Sequence, residues 1–207
     1  MFSNFFLELT FFFWILLDSR WGYGFYLVVD HFLKSSKPHD YSKLWSHCST
    51  VFTVFQTIQC LEVLHAIVGF VPSNPFQVFT QILSRIVLVW CVLIPVPESR
   101  VSIGVPMLLI AWSIAECTRY IYYAFHIYNA VPYISTWLRY TLFIVLYPLG
   151  VSGELLTTCA ALPYISRTKL WSLTMPNPLN IAFHYDFILI LFMLSYFHCK
   201  YFFYLLS

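Results

Sequence analysis

Six apolar segments, each about long enough to cross a bilayer, constrain this chain more than any motif it carries. They fall at about 11–33, 45–66, 76–96, 102–125, 134–157 and 181–203. Roughly 20 predominantly apolar residues make a helix that spans the ~30 Å hydrocarbon core. The expected fold is therefore all-α: a polytopic membrane protein whose single domain, residues 1–207, is a bundle of six transmembrane helices. The breaks carry loop chemistry: Lys34–Lys43 with Pro38, Val71–Pro75, Pro95–Arg100, Asn129–Pro132, and Ser166–Asn180 with Pro176 and Pro178. No internal repeat or low-complexity tract interrupts the pattern. With 60% hydrophobic and only 10% charged residues, the chain has too little polar surface to cover a soluble globule of this size.

Some classes drop out early. A formal charge of +2 without any long basic stripe argues against nucleic acid as a partner. The six cysteines (48, 60, 91, 117, 159 and 199) stand singly, without metal-ligand or C-x-x-C spacing, and read as reduced core residues. Met1–Leu17 is aromatic-rich, yet no basic residue precedes it and no clear small-residue cleavage site follows, so a signal peptide is not the expected reading. Within the first span, Asp18 and Arg20 need each other or a neighbouring helix for satisfaction.

Ionisable residues inside spans are functional-site hypotheses by default. Here they are Glu62 with His65, Arg85, Glu116 with Arg119, Arg139, and, on the fifth span, Tyr147 and Glu154. Glu62/His65 and Glu116/Arg119 have i,i+3 spacing, which places each pair on one helix face where it can satisfy itself. Arginine also suits phosphate recognition, which makes Arg85, Arg119 and Arg139 candidate substrate-binding residues. Tyr147 and Glu154 lie seven residues apart, about 20° in azimuth and about 10 Å in height on a helix. Their side chains can thus reach one substrate from two levels. Between them Pro148 removes an amide donor, depriving the Ile144 carbonyl of its partner, while Gly150 and Gly153 allow bending and close approach of a neighbour. From the residues alone, Glu154 is either half of a catalytic pair or a carboxyl bonded to backbone freed by the kink.

Other motifs carry less. Gly150-Val-Ser-Gly153 resembles the nucleophile segment of rhomboid intramembrane proteases, with Ser152 as nucleophile, but neither His184 nor His198 lies in a glycine-spaced packing sequence. The seven histidines are dispersed, so no metal is expected. No cysteine has an arginine six positions on, which excludes a C-x5-R phosphatase loop.

Several segments together resemble the very-long-chain (3R)-3-hydroxyacyl-CoA dehydratase family, once named protein-tyrosine-phosphatase-like. They are Phe55-Gln-Thr57, Leu61-Glu-Val-Leu-His65, Gln81 with Ser84-Arg85, Ala111-Trp-Ser113, Arg119-Tyr120, Leu138-Arg-Tyr140 and Tyr147-Pro-Leu-Gly-Val-Ser-Gly-Glu154. The resemblance covers roughly residues 44–198. It implies that Tyr147 and Glu154 are catalytic, removing water from a 3-hydroxyacyl-CoA to leave a trans-2-enoyl-CoA. No cofactor is then expected, since coenzyme A is part of the substrate. It also implies a multi-pass enzyme of the endoplasmic reticulum membrane. That enzyme would work third in fatty-acid elongation, beside the elongase condensing enzyme and the ketoacyl-CoA and enoyl-CoA reductases. The non-enzymatic alternative is a silent scaffold subunit of that machinery.

Sidedness is where two expectations collide. Lys34, Lys37, Lys43, Arg100, Arg167 and Lys169 all lie in the first, third and fifth loops, which the positive-inside rule would make cytosolic. The resemblance implies cytosolic termini instead. Arg119 and Arg139 approach the face that carries the termini, where a phosphate-rich coenzyme A would arrive, so cytosolic termini are the expectation.

Overall fold

The computed structural model describes residues 2–35, 40–69, 74–128, 130–173 and 182–206. Among them the structure is helical apart from short connections and one isolated antiparallel bridge, Leu173 with Phe183. Helix α1 is Phe2–Lys34, α2 Tyr41–Ile58, α3 Cys60–Val68, α4 Pro75–Ile86, α5 Gly104–Ile127, α6 Tyr133–Thr168 and α7 Tyr185–Leu206. A π-helical stretch, Val87–Leu93, continues α4, and Pro97–Val101 forms a 3-10 turn.

The apolar segments read from the sequence therefore become helical rods with shifted ends. The second is a 28-residue rod, Tyr41–Val68, broken at Gln59 into α2 and α3. The fifth runs on past residue 157: α6 passes through Pro148 and Pro163 without interruption and reaches Thr168, giving 36 residues or about 54 Å. It stops where Lys169 turns left-handed at φ 50°. Other ends carry ordinary stop signals. The Asp40 carboxylate accepts from the Lys43 amide at 3.4 Å to cap α2. Asn74 caps α4 through the Phe76 amide at 3.0 Å, with Pro75 following, and Gly69 closes α3 at φ 84°. Residues 36–39, 70–73, 129 and 174–181, which hold parts of four expected loops, lie outside the described residues.

Periodicity explains which faces meet. On α1 the buried positions include Leu17, Trp21, Gly24 and Val28; on α5 they include Val105, Leu108, Trp112, Glu116, Tyr120 and Tyr123. Both stripes repeat at three or four residues, one face of a helix. Helix α5 is central, packed along both α1 and α6 and touching α2. Trp21 meets Phe52 of α2 edge to face at 5.5 Å, and Leu88, Val89, Val92 and Leu93 of the π-helical stretch complete the core. Pro95, four residues on, has no amide N–H to give the Cys91 carbonyl, which accepts from the Tyr185 hydroxyl at 2.8 Å and so ties α7 to the stretch that continues α4.

The exterior carries many large apolar side chains. Phe143, Ile144 and Val145 on α6, Phe187 and Leu191 on α7, and Phe76 on α4 are all more than half exposed. Such a surface marks a membrane protein rather than one bathed in water. Among the described residues, two rods, Tyr41–Val68 and Tyr133–Thr168, are long and apolar enough to cross a bilayer. Asp18 and Arg20 do not join: the Asp18 Oδ1 has no hydrogen-bond partner among the described residues, and the Arg20 guanidinium lies 6.0 Å from the Phe55 ring centroid.

Candidate active site

Glycine decides how Glu154 is presented. Gly150, Gly153, Glu154 and Thr157 form one buried stripe of α6, and that stripe lies against α5. A Cβ on Gly153 would fall 2.8 Å from the Leu108 amide nitrogen and 2.9 Å from the Gly104 carbonyl oxygen, so the two backbones approach as closely as glycine allows. The carboxyl of the next residue is carried directly onto α5. There the Trp112 indole Nε1–H donates to Glu154 Oε1 at 2.9 Å, with both side chains buried. Thr157 and Thr158 spend their hydroxyls on the α6 carbonyls of Gly153 and Glu154, at 2.8 Å each. Tyr147, half-buried two turns earlier, stacks on Phe143 with ring centroids 5.0 Å apart.

Behind Trp112 lies a polar cluster that spans four helices. Glu116 of α5 pairs with Arg85 of α4 and with Arg119 one turn on, at 2.5 Å to the latter. Arg119 also reaches Glu62 of α3 at 2.7 Å, and the Tyr120 hydroxyl donates to that same carboxylate. Gln59, at the break between α2 and α3, donates to the Tyr120 oxygen at 2.7 Å and accepts from Gln56 at 2.6 Å. Two guanidinium groups face two carboxylates, so the cluster balances its own charge, as a low-dielectric interior demands. Arg85 also lies 5.5 Å from the Trp112 ring centroid, which joins this cluster to the group that holds Glu154.

The three candidate substrate arginines thus divide. Arg85 and Arg119 are committed to carboxylates, whereas Arg139, nearly two turns into α6, rests on aromatic faces: Tyr122 at 4.3 Å and Tyr123 at 5.4 Å. Among the described residues Arg139 makes no ion pair, which leaves its charge available to an incoming anion. Ser152 is exposed on α6, away from the buried stripe that holds Glu154. The sequence reading passed over Gln59, Gly104 and the part played by Trp112; Tyr120 entered it only through the family resemblance. Only cross-helix approach defines those roles.

A buried carboxyl with a fixed donor and a phenol two turns away along one helix are the two proton-handling groups that an elimination or addition of water requires. The comparisons with known proteins place the chain in a family. Residues 56–206 match the family described as protein tyrosine phosphatase-like protein, PTPLA, and the chain belongs to it. Every side chain of the site and of the polar cluster lies inside the matched span. Mouse very-long-chain (3R)-3-hydroxyacyl-CoA dehydratase 2 is 45% identical over 156 residues, 75% of this chain and 61% of the mouse protein. The Caenorhabditis elegans dehydratase hpo-8 is 49% identical over 144 residues, covering 69% and 66%. The Arabidopsis thaliana dehydratase PASTICCINO 2 is 34% identical over 184 residues, covering 88% and 81%. The chain spans about 61% of the length of the mouse relative. No solved structure matches it at a significant level.

Proposed function

We propose that this chain removes water from very-long-chain (3R)-3-hydroxyacyl-CoA to give trans-2-enoyl-CoA, the third step of fatty-acid elongation. The observation that carries the reading is the buried Glu154 carboxyl, held by Trp112, on the same helix face as Tyr147, in a chain whose relatives are named for that reaction. Glu154 takes the proton from C2, the C2–H electron pair becomes the C2=C3 double bond, and the C3 hydroxyl leaves as water with the proton of Tyr147. The proton gained by Glu154 and the one lost by Tyr147 are restored by exchange between them or with water before the next turnover. Neither step calls for a metal or a redox group.

Geometry along α6 suits a long, amphiphilic substrate. Measured from Arg139, Tyr147 lies about 12 Å and Glu154 about 22 Å further along the helix axis. A phosphate received by Arg139 would leave the pantetheine arm to cover that distance and the acyl chain to continue into the apolar interior. On this reading the helical rods form a six-span domain over 1–207 in the endoplasmic reticulum membrane. The termini and the Arg139 end of α6 face the cytosol, and the elongase condensing enzyme and the two reductases are the working partners.

The test is conversion of a long-chain (3R)-3-hydroxyacyl-CoA by the purified protein in detergent, beside Tyr147→Phe and Glu154→Gln. Loss of activity by about 10²-fold or more in each folded variant is expected. A folded wild-type protein that does not convert the substrate overturns the reading.

A further inference from the structure

We propose that Trp112 is a positioning residue for Glu154, fixing the carboxyl through its indole N–H while Arg85 and Glu116 fix the indole. The proposal rests on the reading of Glu154 as the proton acceptor. An indole offers one donor and no acceptor; the Trp112 N–H is aimed at Glu154 Oε1 at 2.9 Å, whereas the equally buried Trp21 N–H meets no acceptor among the described residues. Trp112 is 2% exposed and Glu154 7%, so water does not compete for that bond as it would at a surface.

What makes this more than an incidental contact is the support behind the ring. Trp112 and Glu116 are four residues apart on α5 and share a face. Arg85 comes from α4 and engages both, with its guanidinium 5.5 Å from the indole centroid and paired with the Glu116 carboxylate. Turning the indole therefore disturbs the Arg85 contact as well as the Glu154 bond. Glu116 is in turn held by Arg119, and Arg119 by Glu62, so the orientation of the ring is fixed from α3, α4 and α5 together. A cation on the face of the ring draws electron density from it and strengthens the N–H as a donor. A charged acceptor strengthens the bond again. The chain Glu116–Arg85–Trp112–Glu154 thus works as a strut that sets the plane of the carboxyl.

The decisive variant is Trp112→Phe, which keeps an aromatic slab under Arg85 and removes the N–H. In detergent-purified full-length protein, kcat is expected to fall about 10- to 100-fold with KM within about twofold, the loss of one hydrogen bond to a charged group. A residue that merely filled space would change the folded fraction rather than split kcat from KM. The second readout needs no activity: the infrared carboxyl band of Glu154, assigned by its disappearance in Glu154→Gln, is expected to shift in Trp112→Phe. If that variant does not fold, benzothienylalanine at position 112, which has the shape of Trp without the N–H, replaces it. An unshifted Glu154 band overturns the positioning role, as does a shifted band with kcat retained. A wild-type protein inert toward the hydroxyacyl-CoA overturns the proposed reaction instead, and the band alone then decides whether Trp112 holds the carboxyl.

Discussion

An alanine at Gly104 tests whether the α5–α6 crossing is set by glycine. Its Cβ would press into the Gly153 carbonyl oxygen while lying 2.6 Å from the Thr157 hydroxyl and 2.9 Å from the Thr157 amide nitrogen. Two of those three atoms are backbone in the middle of a 36-residue helix, so no side-chain rotation relieves them. Bringing the amide nitrogen from 2.9 Å out to an ordinary 3.4 Å contact requires α6 to retreat by about 0.5 Å, and the carbonyl demands more. Overpacking a well-fitted interface costs about 1–3 kcal/mol, and a backbone-against-backbone clash belongs at the top of that range. Gly104 is the first residue of α5, where the helix preference of alanine returns little. A loss of about 3 kcal/mol lowers the folded-to-unfolded ratio on the order of 100-fold.

Gly150 supplies the opposite sign on the same face of α6. There a Cβ would meet only the Ala111 Cβ, at 3.6 Å, an ordinary contact. In a helix interior, Gly→Ala then stabilises by about 1 kcal/mol. Reversible unfolding of both variants in one detergent, followed by circular dichroism, measures the difference. Activity follows the same order, because displacing the reacting groups by even 1 Å can cost about 10²-fold and Glu154 is the residue after Gly153. Gly104→Ala as stable as the parent, or Gly150→Ala as damaging as Gly104→Ala, refutes the argument that backbone approach at these glycines places the carboxyl.

Glu116→Gln removes the carboxylate that Arg85 and Arg119 share and leaves Glu62 to balance both. It is expected to destabilise by about 3–5 kcal/mol, read from the same unfolding assay, and a change below 1 kcal/mol would contradict the charge balance. Arg139→Gln is expected to raise KM for the acyl-CoA roughly 10-fold or more with little change in kcat, because its charge has no carboxylate partner among the described residues. An unaltered KM would remove Arg139 from substrate recognition.

Hydrophobic length located the helical rods, but polar detail moved their ends. The apolar run ends the fifth span near residue 157, yet α6 runs on through Pro163 to Thr168, and Arg167 just before its C-terminus bonds the Pro163 carbonyl at 3.2 Å. Gln59 reads as one more polar residue in an apolar run, whereas its side chain turns inward to Tyr120 at the break between α2 and α3. Within the site, spacing could reveal only what one helix does by itself. The i,i+3 geometry of Glu116 and Arg119 and the shared face of Tyr147 and Glu154 are of that kind. The Arg119–Glu62 and Arg85–Glu116 pairs and the Trp112–Glu154 bond join residues 57, 31 and 42 positions apart, and no periodicity encodes them. Gly104 carried no signal either, since its importance comes wholly from the backbone it meets across the bundle.

The division of labour among the arginines follows from the cost of burying charge. Had Arg85 and Arg119 received the phosphates of a substrate, Glu62 and Glu116 would have repelled the same anions and lost their own partners. Pairing them internally removes that conflict and gives α3, α4 and α5 a rigid junction at the level of Trp112. Arg139 avoids the problem differently. It rests on the Tyr122 and Tyr123 faces, which favour a cation without neutralising it, so its charge stays effective toward an anion. Glu154 stands outside the balanced cluster yet is linked to it through a neutral indole. That arrangement holds Oε1 through the Trp112 N–H at 2.9 Å and ties the carboxyl to the junction behind the ring.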